Sequence, residues 1–282
     1  MTGEHDGPRR RALRSPISLN QIHRVLPERW FFVLHAYRYK IFAEPESRFI
    51  RRMVDPDAVV VDVGACWGSY TYWFSRAARH VIALEPNPEL AHYLSRVVPD
   101  NVEVRNVAAS DAAGHSTLRV PREGTDPYAL ATLEPGTHSE AGTGDGYRMV
   151  DVETVRLDDL ALENVGLVKI DVEGHEEAVL DGARELLANH HPDLLIELEE
   201  RHRPGVIARV GVMLATYGYE GCFLLGKQWT PFAEFDVERH QNIQRTPINS
   251  RQYINLFFFS ARGRDRRLGE SGRAGQVAEA PR

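Results

Sequence analysis

Sulfur is scarce in this sequence: Cys66 and Cys222 are its two cysteines, too few for a disulfide framework and without the paired spacing of a zinc site. Free thiols in a reducing cytoplasm are the expectation. Long apolar runs are missing as well. Nowhere do about 18 or more apolar residues follow one another, so no transmembrane helix is predicted. After Arg9, Arg10, Arg11 and Arg14, the stretch from Ser15 to Arg24 holds no continuous apolar segment, which argues against a secretory signal and for a solvated basic tail. Nor is there an excess of positive charge. A net charge of -6 supplies no general attraction for a phosphate backbone, so no nucleic-acid partner is expected. Large apolar side chains nearly vanish from Ala261 to Arg282, and this segment, like residues 1–15, is predicted to be disordered. There is no internal repeat. The sequence gives no reading of oligomeric state.

What is present suits a soluble globular protein. The 282 residues, 43% of them apolar and 26% charged, are enough to bury one large α/β core. Residues 16–57 form a helical lead-in: WFFVLHAYRYKI, Trp30 to Ile41, has helical spacing, and Glu44 to Val54 looks like a second helix. From residue 58 to residue 260 strands and helices alternate. Ala58 to Val63 is a buried strand, Ser69 to Arg79 a helix, His80 to Leu84 a strand, and Pro88 to Val97 a helix with proline in its first turn. Val102 to Asn106 and Ser116 to Val120 follow as strands, the latter an antiparallel edge or hairpin strand. Pro121 to Arg148, rich in Gly, Thr and Pro, reads as a long loop and a candidate lid. Alternation resumes with strands at Val152 to Arg156 and Leu167 to Ile170, a helix from Glu176 to Leu187, a strand at Leu194 to Leu198 and a helix from Gly205 to Tyr217. Tyr219 to Leu225 and Tyr253 to Ser260 then pair as an antiparallel hairpin at the sheet edge. Such alternation predicts an α/β fold with a mostly parallel sheet.

Open parallel sheets bind ligands beyond the carboxyl ends of their strands, and the strongest motifs fall there. Asp62-Val63-Gly64-Ala65-Cys66-Trp67-Gly68 ends a strand with an acid and opens a loop whose glycines admit close backbone approach. The plain alternative is a turn that needs glycine to reverse direction. Glu85 ends the next strand, at the distance from the loop expected of a carboxylate that accepts ribose hydroxyls, and Pro86-Asn87-Pro88 fixes the turn after it. Its alternative is a solvated strand-end charge. Ser110 and Asp111 are placed to border an adenine, although Asp111 equally fits a turn before Gly114.

The ordered series VVDVGACWGSYT, ALEPNP, NVAASDAAG, LDDL, VKIDVEGHEEAVLDGA and LLIELE, from about Val59 to Glu199, resembles the FkbM family of S-adenosylmethionine-dependent methyltransferases. The resemblance implies a Rossmann-like class I methyltransferase fold, with a seven-stranded sheet closed by the C-terminal hairpin, and S-adenosyl-L-methionine as cofactor. It sets Asp62, Gly64 and Gly68, with Ala65 between them, around the methionine and ribose. Glu85 with Pro86 takes the ribose diol, and Ser110 and Asp111 stand near the adenine. Cys66 departs from the family, which often has Asn there.

Methyl transfer is an in-line displacement, so a hydroxyl acceptor must be held close and lose a proton. Lys169-Ile170-Asp171-Val172-Glu173-Gly174-His175-Glu176 supplies candidates at the end of the fourth parallel strand. Asp171 and Glu173 share a face if the segment is extended, Glu197 ends the following strand, and His175 has a near-neutral intrinsic pKa. Asp171 is expected to serve both cofactor and chemistry. The alternative makes Asp171 structural, Glu173 and Glu176 helix caps, and His175 a solvent-facing helix-start residue. A divalent cation on Asp171, Glu173 and Glu197 ranks below direct base catalysis, because the carboxylates lack a diagnostic ligand spacing. Trp30, Phe31, Phe32, Tyr37 and Tyr39 are expected to pack inward or at an interface rather than form an acceptor platform. Arg38 and Lys40 among them suit an anionic membrane surface or phosphorylated acceptor, or simply a solvated face.

The expected reaction is therefore O-methylation of a small-molecule or glycan hydroxyl, on a sugar, glycolipid or polyketide-type metabolite. An NAD(P)-dependent oxidoreductase is the rival enzyme, ranked lower because bulky Trp67 interrupts the glycine loop. A Rossmann-like domain that binds without catalysis is the third reading.

Overall fold

The computed structural model describes residues 26–42, 45–122, 128–135, 146–248, 250 and 252–261. The tail expected at 1–15, the first part of the lead-in at 16–25, and residues 123–127 and 136–145 of the long loop lie outside the described residues, as does the tail expected at 261–282 except Ala261, which ends a strand.

Eight strands form the main sheet: β1 (Val59–Val63), β2 (His80–Leu84), β3 (Val102–Arg105), β7 (Val165–Ile170), β8 (Asp193–Glu197), β9 (Tyr219–Leu225), β10 (Gln228–Pro231) and β11 (Leu256–Ala261). Their order is β10-β9-β11-β8-β7-β1-β2-β3. β1, β2, β3, β7 and β8 pair in parallel, and β11 runs antiparallel to both β8 and β9. The strand order reverses beside β1, where a parallel sheet offers its ligand crevice.

Alternate residues of the central strands face opposite layers. Val61, Val63, Leu194 and Ile196 meet one helical layer, in which α7 (Val206–Thr216) buries Val206, Val210 and Leu214. Val60, Leu167 and Leu195 face the other way, against Ile50 and Met53 of α2 (Ile50–Met53) and Tyr70 and Phe74 of α3 (Ser69–Ser75). The lead-in helix α1 (Glu28–Phe42) packs Phe31, Phe32 and Ala36 onto α4 (Pro88–Val97) through Leu90 and Leu94. α4 starts where the sequence places it, with Asn87 accepting from the Glu89 N–H (3.0 Å) and Pro88 in the first turn.

Several elements differ from the sequence reading. Among the described residues the main sheet has eight strands rather than seven. The C-terminal pair is antiparallel as expected, but β11 is not at the edge: it lies between β8 and β9, and the edge hairpin is β9 with β10. Ser116 to Val120 belongs to β5 (Gly114–Pro121), which joins β4 (Ala108–Ala109) and β6 (Tyr147–Val155) in a separate three-stranded sheet. The helix expected from Glu176 to Leu187 is broken into α5 (Glu176–Asp181) and α6 (Arg184–Asn189). Gly182 stands at the break, where a Cβ would lie 1.9 Å from the Ser110 carbonyl oxygen. Glu44 to Val54 resolves into a 3-10 turn, Pro45–Phe49, followed by α2.

Candidate active site

A cavity of about 320 Å3 opens beyond the carboxyl ends of β1, β2, β7 and β8, within the usual range for small-molecule sites, about 300–1,000 Å3. α1 contributes His35 and Tyr39 to its wall, and the described piece of the long loop contributes Tyr128, Ala129, Ala131, Thr132 and Leu133. That piece is anchored on both sides. Thr132 bridges to Arg119 of β5 and its hydroxyl donates to the Glu173 carbonyl (2.7 Å); the Tyr128 hydroxyl donates to Glu89 (2.7 Å).

At one end, Gly64 has φ +77°, and a Cβ there would fall 2.0 Å from the Asp171 carbonyl oxygen. The loops after β1 and β7 thus touch backbone to backbone, which only glycine permits. Cys66 occupies the left-handed region (φ +50°), a conformation that asparagine adopts more readily, and its N–H donates to Glu85 Oε2 at 2.7 Å. The Asn87 N–H donates to Oε1 of the same carboxylate at 2.8 Å. Glu85 is 5% exposed. Burial raises its pKa to about 7, while the two backbone donors and Lys169 pull it down and Asp62 pushes it further up. A carboxylate offers about four lone-pair sites, so two remain for donors from a ligand. Ala65, Pro86, Val107, Ala108 and Leu118 complete this end with apolar surface.

Asp62, Gly68, Ser110 and Asp111 do not reach the cavity wall. Asp62 is fully buried, accepting from the Thr71 hydroxyl at 2.6 Å with Lys169 Nζ 3.9 Å away; burial raises its pKa and Lys169 opposes the rise. Gly68 is left-handed (φ +79°) and lies so close to Leu94 and Phe32 that a Cβ would come within 2.6 Å of each, a requirement of helix packing. Ser110 bonds His175 Nε2 (2.9 Å) and Asp111 (3.1 Å), and Asp111 is exposed.

The other end gathers charge. Asp171, Glu173, His175 and Glu197 all line the cavity. Lys169, 3% exposed, places its ammonium 2.9 Å from Asp171 Oδ2 and 5.1 Å from the centre of the Tyr70 ring. Glu173 is left-handed (φ +54°), and its carboxylate lies 3.3 Å from His202 Nε2. Burial first, then Asp171 and Glu199, raise its pKa well above the ordinary value. Strained backbone of this kind clusters at functional sites. Glu197 accepts from Asn255 Nδ2 at 2.5 Å. His175 engages both ring nitrogens, Nδ1 with Glu134 (2.6 Å) and Nε2 with Ser110 (2.9 Å), and is not the solvent-facing residue of the alternative reading. Glu176 does act near a helix start, accepting from the Gly174 N–H at 2.9 Å. Among the described residues no group of three or more His, Cys, Asp or Glu side chains is arranged to hold a metal ion.

Lys169, His202, Glu134 and His35 were missed by sequence reasoning. The strand period places Lys169 and Asp171 on one face, so Lys169 was legible. His202, Glu134 and His35 reach the site from distant segments and carry no local signal.

The family model described as "Methyltransferase FkbM domain" matches residues 62–220. The chain belongs to the FkbM methyltransferase family. Its methyl donor is accordingly S-adenosylmethionine, and the oxidoreductase reading falls away. Among relatives of this FkbM methyltransferase, "Methyltransferase sdnD" of Sordaria araneosa is 28% identical over 194 residues, covering 57% of this chain and 73% of that protein. The crystal structure of methyltransferase FkbM from Methylobacillus flagellatus KT aligns with a TM-score of 0.45 at 16% identity, over 86% of this chain; the chain spans 57% of that protein's length. SMU.1697c of Streptococcus mutans, solved in complex with SAH, aligns with a TM-score of 0.37 at 11% identity, covering 78% and 96% of the two chains.

Proposed function

We propose that this FkbM methyltransferase methylates a hydroxyl oxygen of a small molecule or glycan, on a sugar, glycolipid or polyketide-type metabolite. The observation that carries the reading is one cavity with a buried ribose-type acid, Glu85, at one end and the carboxylates of Asp171, Glu173 and Glu197 at the other. The residues present fit the cofactor: Glu85 holds its diol, Gly64, Ala65 and Cys66 give it a close backbone wall, and Pro86, Val107, Ala108 and Leu118 cover its base. Bound there, S-adenosylmethionine supplies an electrophilic methyl group. Asp171, fixed by Lys169, takes the proton of the acceptor hydroxyl. Glu173, whose pKa burial raises, and Glu197 line the same end of the cavity and orient the acceptor. His175 is a positioning residue that ties Glu134, and with it the segment over the cavity, to Ser110. Two cysteines, neither in a disulfide, support a cytoplasmic setting.

Calorimetric titration with S-adenosylhomocysteine tests the cofactor half, and transfer of a labelled methyl group to a panel of hydroxylated sugars and polyketides tests the acceptor half. Saturable binding that weakens in Glu85→Ala, with product label on oxygen, is expected. Label on nitrogen or carbon would overturn O-methylation, and S-adenosylhomocysteine binding unaffected by Glu85→Ala would overturn the placement of the ribose.

A further inference from the structure

Helix α1 presents two different faces. The inner one gives His35 and Tyr39 to the cavity wall and Phe31, Phe32 and Ala36 to the core. The outer one exposes Trp30 (70%), Leu34 (42%) and Tyr37 (46%), and spacings of four and three residues set these side chains in a single stripe. Tyr37 meets Trp73 with ring centres 4.9 Å apart, and Lys40 Nζ sits 3.7 Å from the Trp73 ring centre. Burial first, then the charges of Arg51 and Arg48, depress the Lys40 ammonium, and Arg48, Arg51 and Arg52 of the segment after α1 are exposed. Between Glu28 and Val54 the sequence carries Arg29, Arg38, Lys40, Arg48, Arg51 and Arg52 against Glu28, Glu44 and Glu46, in a chain whose net charge is -6. Glu28 is paired with Arg96, and Glu46 is buried.

We propose that this face docks the protein on an anionic lipid bilayer, with Trp30, Leu34 and Tyr37 entering the headgroup region and the arginines around them facing acidic headgroups. Tryptophan and tyrosine favour the membrane interface, and basic side chains flanking them add attraction to acidic headgroups; no described helix is long and apolar enough to cross. Charge decides against two other occupants. A second copy joined through the same face would oppose one basic rim to another, and a nucleic acid would use the arginines but leave the apolar stripe in water. Because the docked helix also walls the cavity, a lipid-linked hydroxyl is the acceptor class brought within reach. That last step rests on the hydroxyl-transfer reading; the docking itself does not.

Flotation of the full chain with vesicles tests the proposal, using phosphatidylcholine alone and phosphatidylcholine with about one third phosphatidylglycerol. Binding to the anionic vesicles only, reversed by salt, is expected. Arg38→Gln/Arg51→Gln should weaken it about 30-fold, because each basic side chain at such a surface contributes about fivefold. Trp30→Ser/Leu34→Ser/Tyr37→Ser should weaken it at least tenfold, with S-adenosylhomocysteine affinity unchanged in both variants. Absence of flotation overturns the proposal, as does flotation that survives both sets of substitutions. Loss in the arginine variant alone would assign the face to a polyanion. A fall in native mass of the triple variant would assign it to a second copy. If wild type floats but does not bind S-adenosylhomocysteine, the cofactor reading fails and the docking stands.

Discussion

Between about pH 6 and pH 8 the affinity for S-adenosylhomocysteine should rise about tenfold, because Glu85 must be ionised to accept two ribose hydroxyls and its pKa stands near 7. At about one unit below that value roughly a tenth of the carboxylates are ionised; at one unit above, roughly nine tenths are. Burial is the leading cause of the elevation, ahead of the two backbone donors that oppose it. Stability of the ligand-free protein has the opposite slope. The folded-state pKa lies above the ordinary 4.5, so the native state keeps a proton that the unfolded chain releases. The contribution is therefore present below about pH 4.5 and is lost as pH rises through about 7, a change of about 3 kcal/mol at most. Calorimetry at several pH values measures the first effect, and denaturant midpoints measure the second. Glu85→Gln should bind weakly with a nearly flat pH profile, which separates Glu85 from the histidines near the cavity. A wild-type affinity independent of pH, or the same slope in Glu85→Gln, would refute the reasoning.

Asp171→Asn should reduce turnover at least a hundredfold, in the range of general-base catalysis, while changing S-adenosylhomocysteine affinity only a fewfold; steady-state kinetics beside calorimetry will separate the two. Gly182→Ala forces a Cβ to within 1.9 Å of the Ser110 carbonyl oxygen and should cost about 1–3 kcal/mol by urea denaturation. Phe74→Ala empties a fully buried site between α3 and the sheet and should cost about 3–5 kcal/mol. His175→Ala removes the link from Glu134 to Ser110, so residues 128–135 should exchange their amide hydrogens faster and the acceptor KM should rise more than kcat falls.

Much of the fold was legible because strand and helix periods differ. The run Val59–Val63 is buried throughout, as a central parallel strand must be, and Asn87-Pro88 marks the start of α4 unambiguously. The misplacement of β11 has a physical cause: Leu256–Ala261 is apolar enough for an edge or an interior, and a pairing partner is not written in local pattern. The break at Gly182 was hidden because its reason, the Ser110 carbonyl, lies far away in sequence. In the candidate site, Gly64, Glu85, Asp171 and Glu197 were singled out by position at strand ends, and all four line the cavity. Gly68 and Asp62 stand in the same motif but off the cavity wall, Gly68 close against Leu94 and Phe32 and Asp62 accepting from the Thr71 hydroxyl, partners that sequence order does not reveal. The aromatic stripe of α1 also divided: Phe31 and Phe32 are buried as expected, Tyr39 reaches the cavity, and Trp30 and Tyr37 face outward.

The position of β11 also sets an order of events. β8 and β9 are neighbours in sequence, yet they cannot pair with each other in the finished sheet, since the strand between them is supplied last. While the chain is being made, each keeps an unpaired row of backbone groups, flanked by side chains as apolar as Leu195 and Phe223. Such open edges recruit strands from other molecules. Arrival of Leu256–Ala261 closes both edges in a single step, so synthesis interrupted just before this strand leaves a product prone to aggregation rather than a slightly shorter enzyme.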